Sequence, residues 1–156
     1  MGPRVEVMKR VARTGVGPMQ TVLLVEDDDA FRIFCRVALE AAGYQVLQAR
    51  DGTVAVERAL RDRPDIVILD LWLPGLTGSG VLRVLRANRR LDRVPVVVLS
   101  GVPEVKDREG LLSFGADDVL EKPIPPDRLV AEVKKWLARG RSPATGRTLQ
   151  NRLEPA

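Results

Sequence analysis

Short apolar runs alternate along the chain with longer segments in which apolar residues recur every three to four positions. The runs are typical of buried strands and lie at residues 21–25, 44–47, 65–69, 94–99 and 119–120. The segments with helical spacing follow them, around residues 31–42, 54–61, 81–85, 105–114 and 129–137. Strands that are apolar on both faces and alternate strictly with helices predict an α/β fold, a parallel sheet covered by helices on both sides.

Capping signals mark the ends of the predicted helices. Asp28 or Asp29 is expected to cap the first helix, and Gly43 is expected to end it. Asp51 and Gly52 open the second helix. The spacing in the first helix predicts an apolar stripe that faces the core, formed by Phe31, Phe34, Cys35, Ala38, Leu39 and Ala42.

Polar side chains follow four of the five predicted strands. Glu26 and Asp27 follow the first strand and Asp70 follows the third. Ser100 follows the fourth and Lys122 comes just after the fifth. Parallel sheets bind ligands beyond the carboxyl ends of their strands, where strand order reverses. The sequence therefore predicts that three acids, a hydroxyl and an ammonium gather there as a phosphate and metal site.

Composition narrows the possible chemistry. At 156 residues the chain has room for one domain of ordinary size. It contains no histidine, which excludes histidine metal ligands, histidine general bases and phosphohistidine donors within the chain. Cys35 is the only cysteine, so no intramolecular disulfide can form, and the chain fits a reducing cytoplasm. No apolar run is long enough to span a membrane.

The basic character of the chain lies at its ends. Residues 1–19 and residues 139–156 each carry four arginines or lysines against one glutamate, whereas acidic residues slightly outnumber basic ones between them. We expect both ends to be disordered, solvated tails around a domain at residues 20–138. The alternative is a weak electrostatic contact of the tails with nucleic acid or anionic lipid.

Four segments together resemble the receiver domain of two-component response regulators. They read VLLVEDD at 22–28, PDIVILDLWLPG at 64–75, VPVVVLSG at 94–101 and GADDVLEKP at 115–123. The resemblance covers residues 20–138. It implies a flavodoxin-like, doubly wound sheet of five parallel strands in the order 2-1-3-4-5, with five helices on its two faces. The bond between Lys122 and Pro123 is cis in the family.

By this resemblance, Asp70 is the phosphoryl acceptor. Glu26, Asp27 and Asp70 would hold Mg²⁺, with the backbone carbonyl of Trp72 as a further ligand. Crowded carboxylates repel one another unless a cation neutralises them, and Mg²⁺ prefers oxygen ligands, so the chemistry agrees with the resemblance.

The resemblance also assigns Ser100 and Lys122 to contacts with the phosphoryl group. Two positions depart from the usual pattern. Val119 stands where most receivers carry a tyrosine or phenylalanine that reports the switch to partners. Trp72 is bulky for a position that flanks the path of attacking water, and we hypothesise that it slows hydrolysis of the phosphorylated form.

These features predict a phosphorylation-operated signalling switch and not a conventional enzyme. The phosphoryl group would come from a histidine kinase or phosphotransfer protein, and the output would be docking on a downstream protein or phosphorelay. One alternative is a phosphorylation-independent adaptor. Another is a phosphohydrolase, which usually needs a second acid two residues after the nucleophile, where this chain has Trp72.

Length suggests how the protein is organised. About 18 residues follow the last predicted helix, too few for a DNA-binding output domain. The expectation is therefore a single-domain regulator, a monomer or weak homodimer, without a dedicated DNA-binding domain or a membrane partner. Residues 1–18 are expected to be either dispensable or an artefact of the choice of start site.

Overall fold

The structure, a computed structural model, describes residues 18–101 and 105–141, without the side chains of residues 105–107. Strands and helices alternate throughout this part of the chain. The strands are β1 (Thr21–Val25), β2 (Gln45–Ala49), β3 (Ile66–Asp70), β4 (Val96–Ser100) and β5 (Asp118–Glu121). The helices are α1 (Asp29–Ala41), α2 (Gly52–Asp62), α3 (Gly78–Ala87), α4 (Val105–Ser113) and α5 (Pro126–Arg139), and a 3₁₀ turn spans Arg89–Leu91.

The five strands form one parallel sheet in the order β2-β1-β3-β4-β5. Helices α1 and α5 cover one face, where Cys35 and Leu39 pack with Leu129 and Val133. Helices α2, α3 and α4 cover the other face. The predicted three-layer, flavodoxin-like α/β fold is confirmed.

Strand register brings the predicted site residues to one edge of the sheet. Asp70, the last residue of β3, lies opposite Leu99, so Ser100 is one position further along β4. Ser100 in turn lies opposite Glu121, which directly precedes Lys122. On the other side of β3, Leu69 lies opposite Val25, which precedes Glu26.

The helix ends follow the predicted capping chemistry. The Asp28 carboxylate accepts a hydrogen bond from the amide of Phe31 at 3.1 Å and caps α1. The Asp51 carboxylate accepts one from the amide of Val54 at 2.8 Å and caps α2. Gly43 follows α1 with φ of 96°, a backbone conformation that ends helices and suits glycine.

The predicted apolar stripe of α1 is partly wrong. Phe34 is 62% exposed and Ala42 is also exposed, whereas Arg32 is buried with Cys35 and Leu39. The buried face of α1 is therefore formed by Arg32, Cys35 and Leu39, and it is narrower than the predicted stripe. Phe34 instead shares an exposed apolar face with Ile33 and Val37.

Two further core side chains are those of Trp136 and Cys35. Trp136, on the inner face of α5, packs in the core, and Cys35 is fully buried. Burial raises the pKa of the Cys35 thiol to about 11, which leaves it protonated and inert. No helix in the described part of the chain is long and apolar enough to cross a membrane.

The predicted domain boundaries stay predictions, because most of both tails lies outside the described residues. Near the C-terminal boundary, α5 continues to Arg139, and Arg141 is buried in an ion pair with Asp117 at 3.0 Å. The reducing, cytoplasmic location inferred from Cys35 also stays a prediction.

Candidate metal and phosphoryl site

Three carboxylates meet at the carboxyl edge of the sheet. One carboxylate oxygen each from Glu26, Asp27 and Asp70 lies within 4.8 Å of the other two. Glu26 is 1% exposed and Asp70 is 4% exposed, whereas Asp27 is open to solvent. Because all the ligand atoms are oxygens and one side is open, the cluster fits a hard divalent cation that keeps some of its waters, such as Mg²⁺.

The sheet fixes the backbone that carries these acids. The amide of Glu26 donates to the carbonyl of Ala49 at 3.0 Å, which extends the β1–β2 ladder one residue past the strand. The amide of Leu71 donates to the carbonyl of Leu99 at 3.1 Å and does the same beyond β3. Asp70 is therefore held between paired residues and has little backbone freedom.

Lys122 joins the two buried acids. Its Nζ lies 2.9 and 3.0 Å from the two carboxylate oxygens of Glu26 and 3.4 Å from Oδ1 of Asp70. Its amide donates to the carbonyl of Ser100 at 2.8 Å, and its bond to Pro123 is cis, as the resemblance implies. The Lys122 ammonium therefore already neutralises part of the negative charge that would attract a metal ion.

Burial and charge shift the pKa values of this pair. Burial raises the pKa of Glu26 to about 7. The hydrogen bond from Lys122 lowers that pKa, and the neighbouring Asp70 raises it, but desolvation is the largest effect. Desolvation alone would lower the pKa of Lys122, yet the hydrogen bond to Glu26 and the charges of Glu26 and Asp70 together raise it. Lys122 therefore stays charged, whereas Glu26 takes up a proton at a higher pH than an ordinary glutamate does.

Ser100 and Trp72 lie beside the cluster without being joined to it through their side chains. Ser100 is buried at the end of β4, and its hydroxyl forms no hydrogen bond with Asp70 or Lys122 in the described part of the chain. The amide of Trp72 donates to Oδ1 of Asp70 at 3.3 Å, so the Trp72 backbone follows the acid closely. The Trp72 side chain is 73% exposed.

Sequence reasoning missed two residues that contact this site. The ring of Phe31 lies 5.0 Å from Nζ of Lys122, a cation–π distance. Arg32 donates to the backbone carbonyl of Glu26 at 3.0 Å. The sequence held one signal for Arg32, which lies three positions before Cys35 and so on the row of α1 that faces the core.

A family model described as the response regulator receiver domain matches residues 22–134. The chain is 41% identical over 118 residues to response regulator MprA of Mycobacterium leprae, covering 76% of this chain and 51% of MprA. It is 39% identical over 120 residues to the DNA-binding response regulator MtrA of Mycobacterium tuberculosis, covering 77% of this chain and 51% of MtrA.

A solved structure extends the similarity to a metal-bound state. The receiver domain of sensor histidine kinase PA1611 from Pseudomonas aeruginosa is 34% identical, with a TM-score of 0.71 over 77% of this chain and 98% of that one. That structure holds a magnesium ion coordinated in its active-site cleft.

The expectation about partners needs a correction. The protein was expected to lack a dedicated DNA-binding domain because few residues follow α5. MtrA is a DNA-binding response regulator, and this chain spans about half the length of the curated relatives it matches. The matched region is the receiver part alone. The expectation of a regulator without a DNA-binding domain, which was drawn from the few residues after α5, is therefore wrong.

Proposed function

The chain belongs to the response regulator receiver family, and we propose that it is a phosphorylation-operated switch whose phosphoryl acceptor is Asp70. Such a switch is a signalling device and not a conventional enzyme. The observation that carries the proposal is the meeting of Glu26, Asp27 and Asp70 within 4.8 Å, with Lys122 3.4 Å from Asp70.

Asp70 has the position that a nucleophile for phosphoryl transfer needs. Its carboxylate ends a buried strand, and its Oδ1 accepts the Trp72 amide, so the acid is held rigidly while the edge of the pocket stays open at Asp27. In the proposed step, an oxygen of Asp70 forms a bond to phosphorus as the bond from phosphorus to the donor breaks. The donor atom keeps the electron pair, and the product is an acyl phosphate.

Glu26, Asp27 and Asp70, with the backbone carbonyl of Trp72, would hold Mg²⁺. When bound, Mg²⁺ offsets the negative charge of the acids and of the incoming phosphoryl oxygens. Glu26 must be ionised to serve as a ligand, because a metal ion binds the deprotonated carboxylate. The Lys122 ammonium lies 2.9 and 3.0 Å from the two Glu26 oxygens, so it competes with the metal for that carboxylate.

Lys122 and Ser100 are the groups that would respond to the new charge. The phosphoryl group adds nearly two negative charges beside Asp70, and the Lys122 ammonium is already within 3.4 Å of that carboxylate. The Ser100 hydroxyl has no bond to Asp70 or Lys122 to give up before it donates to a phosphoryl oxygen. Moving a switch from 1:99 to 99:1 takes about 5.5 kcal/mol, and charge-assisted hydrogen bonds contribute about 1.5–3 kcal/mol each. Two such bonds therefore supply most of the required bias.

The donor in this proposal is a phosphohistidine on a histidine kinase or a phosphotransfer protein. These 156 residues contain no histidine, so none of them can supply the phosphohistidine. The output would be docking on a target or onward phosphorelay.

Incubation with acetyl phosphate and Mg²⁺, followed by mass spectrometry of the intact protein, tests the proposal. We expect a mass gain of one phosphoryl group in the wild type and in Asp51→Asn, a matched control at a helix cap outside the site. Asp70→Asn should show no gain. Sustained phosphate release from many phosphate esters would indicate a phosphohydrolase instead, and no reaction at all would indicate an adaptor.

A further inference from the structure

Arg32 is a buried cation whose three side-chain nitrogens each donate a hydrogen bond beside the metal site. The residue is 7% exposed. Its Nη1 donates to the carbonyl of Glu26 at 3.0 Å, and its Nε donates to the side chain of Gln48 on β2 at 3.1 Å. Its Nη2 donates to Asp29 at 2.6 Å, and the other oxygen of Asp29 accepts from Arg50 at 3.2 Å.

From this arrangement we propose that Arg32 is a positioning residue for the metal site, one that acts by fixing the peptide group between Glu26 and Asp27. The inference rests on the proposed function, because it concerns how the same acids are held.

The carbonyl that Arg32 grips belongs to the peptide plane whose nitrogen is that of Asp27. A peptide group is planar, so fixing its oxygen fixes the direction in which the chain enters Asp27. The preceding amide of Glu26 is held by Ala49 at 3.0 Å. Residue 26 is therefore pinned on both sides, on one by β2 and on the other by Arg32.

Asp27 depends on this constraint more than the other two acids do. Glu26 is held by Lys122, and Asp70 is held by the amide of Trp72. The Asp27 carboxylate is exposed and has no hydrogen-bond partner in the described part of the chain. With no such bond to orient its side chain, Asp27 depends on the position of its backbone, which Arg32 helps to hold through the Glu26 carbonyl.

Charge and positioning predict opposite effects when Arg32 is removed. Arg32 is a cation near an acidic pocket, so removing its charge should by itself strengthen Mg²⁺ binding, because it removes a Coulomb repulsion between two cations. Loss of positioning should weaken it. Residues that orient metal ligands typically affect metal affinity about 10- to 100-fold.

Two substitutions and a matched control separate these effects. Arg32→Met removes both charge and donors. Arg32→Lys keeps the charge but loses the planar fork that reaches three acceptors at once. The control is Arg36→Met, four residues further along α1, where the arginine pairs with Glu40 at 3.5 Å and does not contact Glu26.

The experiment titrates Mg²⁺ into the full chain of each variant and follows the fluorescence of Trp72, which lies two residues after Asp70. Trp136, at the far end of α5, contributes a constant background. Thermal unfolding without metal reports on the fold. We expect Arg32→Met and Arg32→Lys to bind Mg²⁺ about tenfold more weakly or worse, and Arg36→Met to bind like the wild type.

A double-variant comparison tests the route through Asp27. If Arg32 acts by placing Asp27, combining Arg32→Lys with Asp27→Asn should weaken binding no further than Asp27→Asn alone. Losses that add, or Arg32 variants that bind Mg²⁺ as tightly as the wild type, would overturn the proposal. If Arg32→Met does not fold, Arg32→Lys decides. A wild-type chain that binds no Mg²⁺ would instead remove the proposed function on which this inference rests.

Discussion

Acidifying the solution from about pH 8 to about pH 6 should weaken Mg²⁺ binding about tenfold, because the metal must displace a proton from Glu26. Burial raises the pKa of Glu26 to about 7. A carboxyl with that pKa is about one-tenth protonated at the upper pH and about nine-tenths protonated at the lower one. The fraction able to bind metal therefore falls about tenfold across this range.

The raised pKa of Glu26 also predicts how the free energy of unfolding changes with pH. Because the folded-state pKa of Glu26 lies above its ordinary value of 4.5, the folded protein holds more protons than the unfolded chain between about pH 4.5 and 7. Without metal, the Glu26 contribution to the free energy of unfolding falls as the pH rises through this window. Stabilisation by Mg²⁺ should increase over the same window.

The assay is an Mg²⁺ titration by tryptophan fluorescence at closely spaced pH values, with Glu26→Gln as the control. The glutamine variant should bind Mg²⁺ more weakly throughout and lose the part of the pH dependence that centres near pH 7. Wild-type affinity that stays flat between about pH 6 and 8, or a glutamine variant with an unchanged slope, would refute the reasoning.

Three further substitutions probe the pocket. Lys122→Met should bind Mg²⁺ severalfold more tightly in a fluorescence titration, because the ammonium no longer competes for Glu26 and Asp70; weaker binding would contradict this. Gly78→Ala should lower the free energy of unfolding, because the added Cβ would lie 2.6 Å from the Asp70 carbonyl oxygen. Denaturant melts should show a loss of about 1–3 kcal/mol, as in other overpacked sites. An unchanged midpoint would show that the loop moves aside. Trp72→Ala should shorten the half-life of the phosphorylated protein in a phosphate-release assay if the indole hinders attacking water, and an unchanged half-life would discard that hypothesis.

Much of the fold could be predicted because β1, β3 and β4 are almost entirely apolar and the helices are bounded by polar or capping residues. Asp28 and Asp51 fixed two helix starts correctly. β2 was predicted too short because Gln48 interrupts its apolar pattern. The structure pairs that side chain with Arg32, which sequence spacing could not show.

The sequence predicted which residues come together at the site, because the carboxyl ends of parallel strands lie at one edge of the sheet. It did not predict which of these side chains form ion pairs with one another. That Lys122 contacts Glu26 more closely than Asp70 depends on the path after β5, and 96 residues separate the two partners. Arg32 was missed because an arginine on a helix is ordinarily solvated, and its burial depends on acceptors at Glu26, Asp29 and Gln48, of which Gln48 lies on β2.

Locating the phosphoryl group within the chain tests the central claim most directly. After incubation with acetyl phosphate and Mg²⁺, borohydride reduction converts an aspartyl phosphate to homoserine, which peptide mass spectrometry can place. The account predicts homoserine at residue 70, dependent on Mg²⁺. Homoserine at Asp27 or another acid, or none under conditions where Mg²⁺ binds, would contradict it.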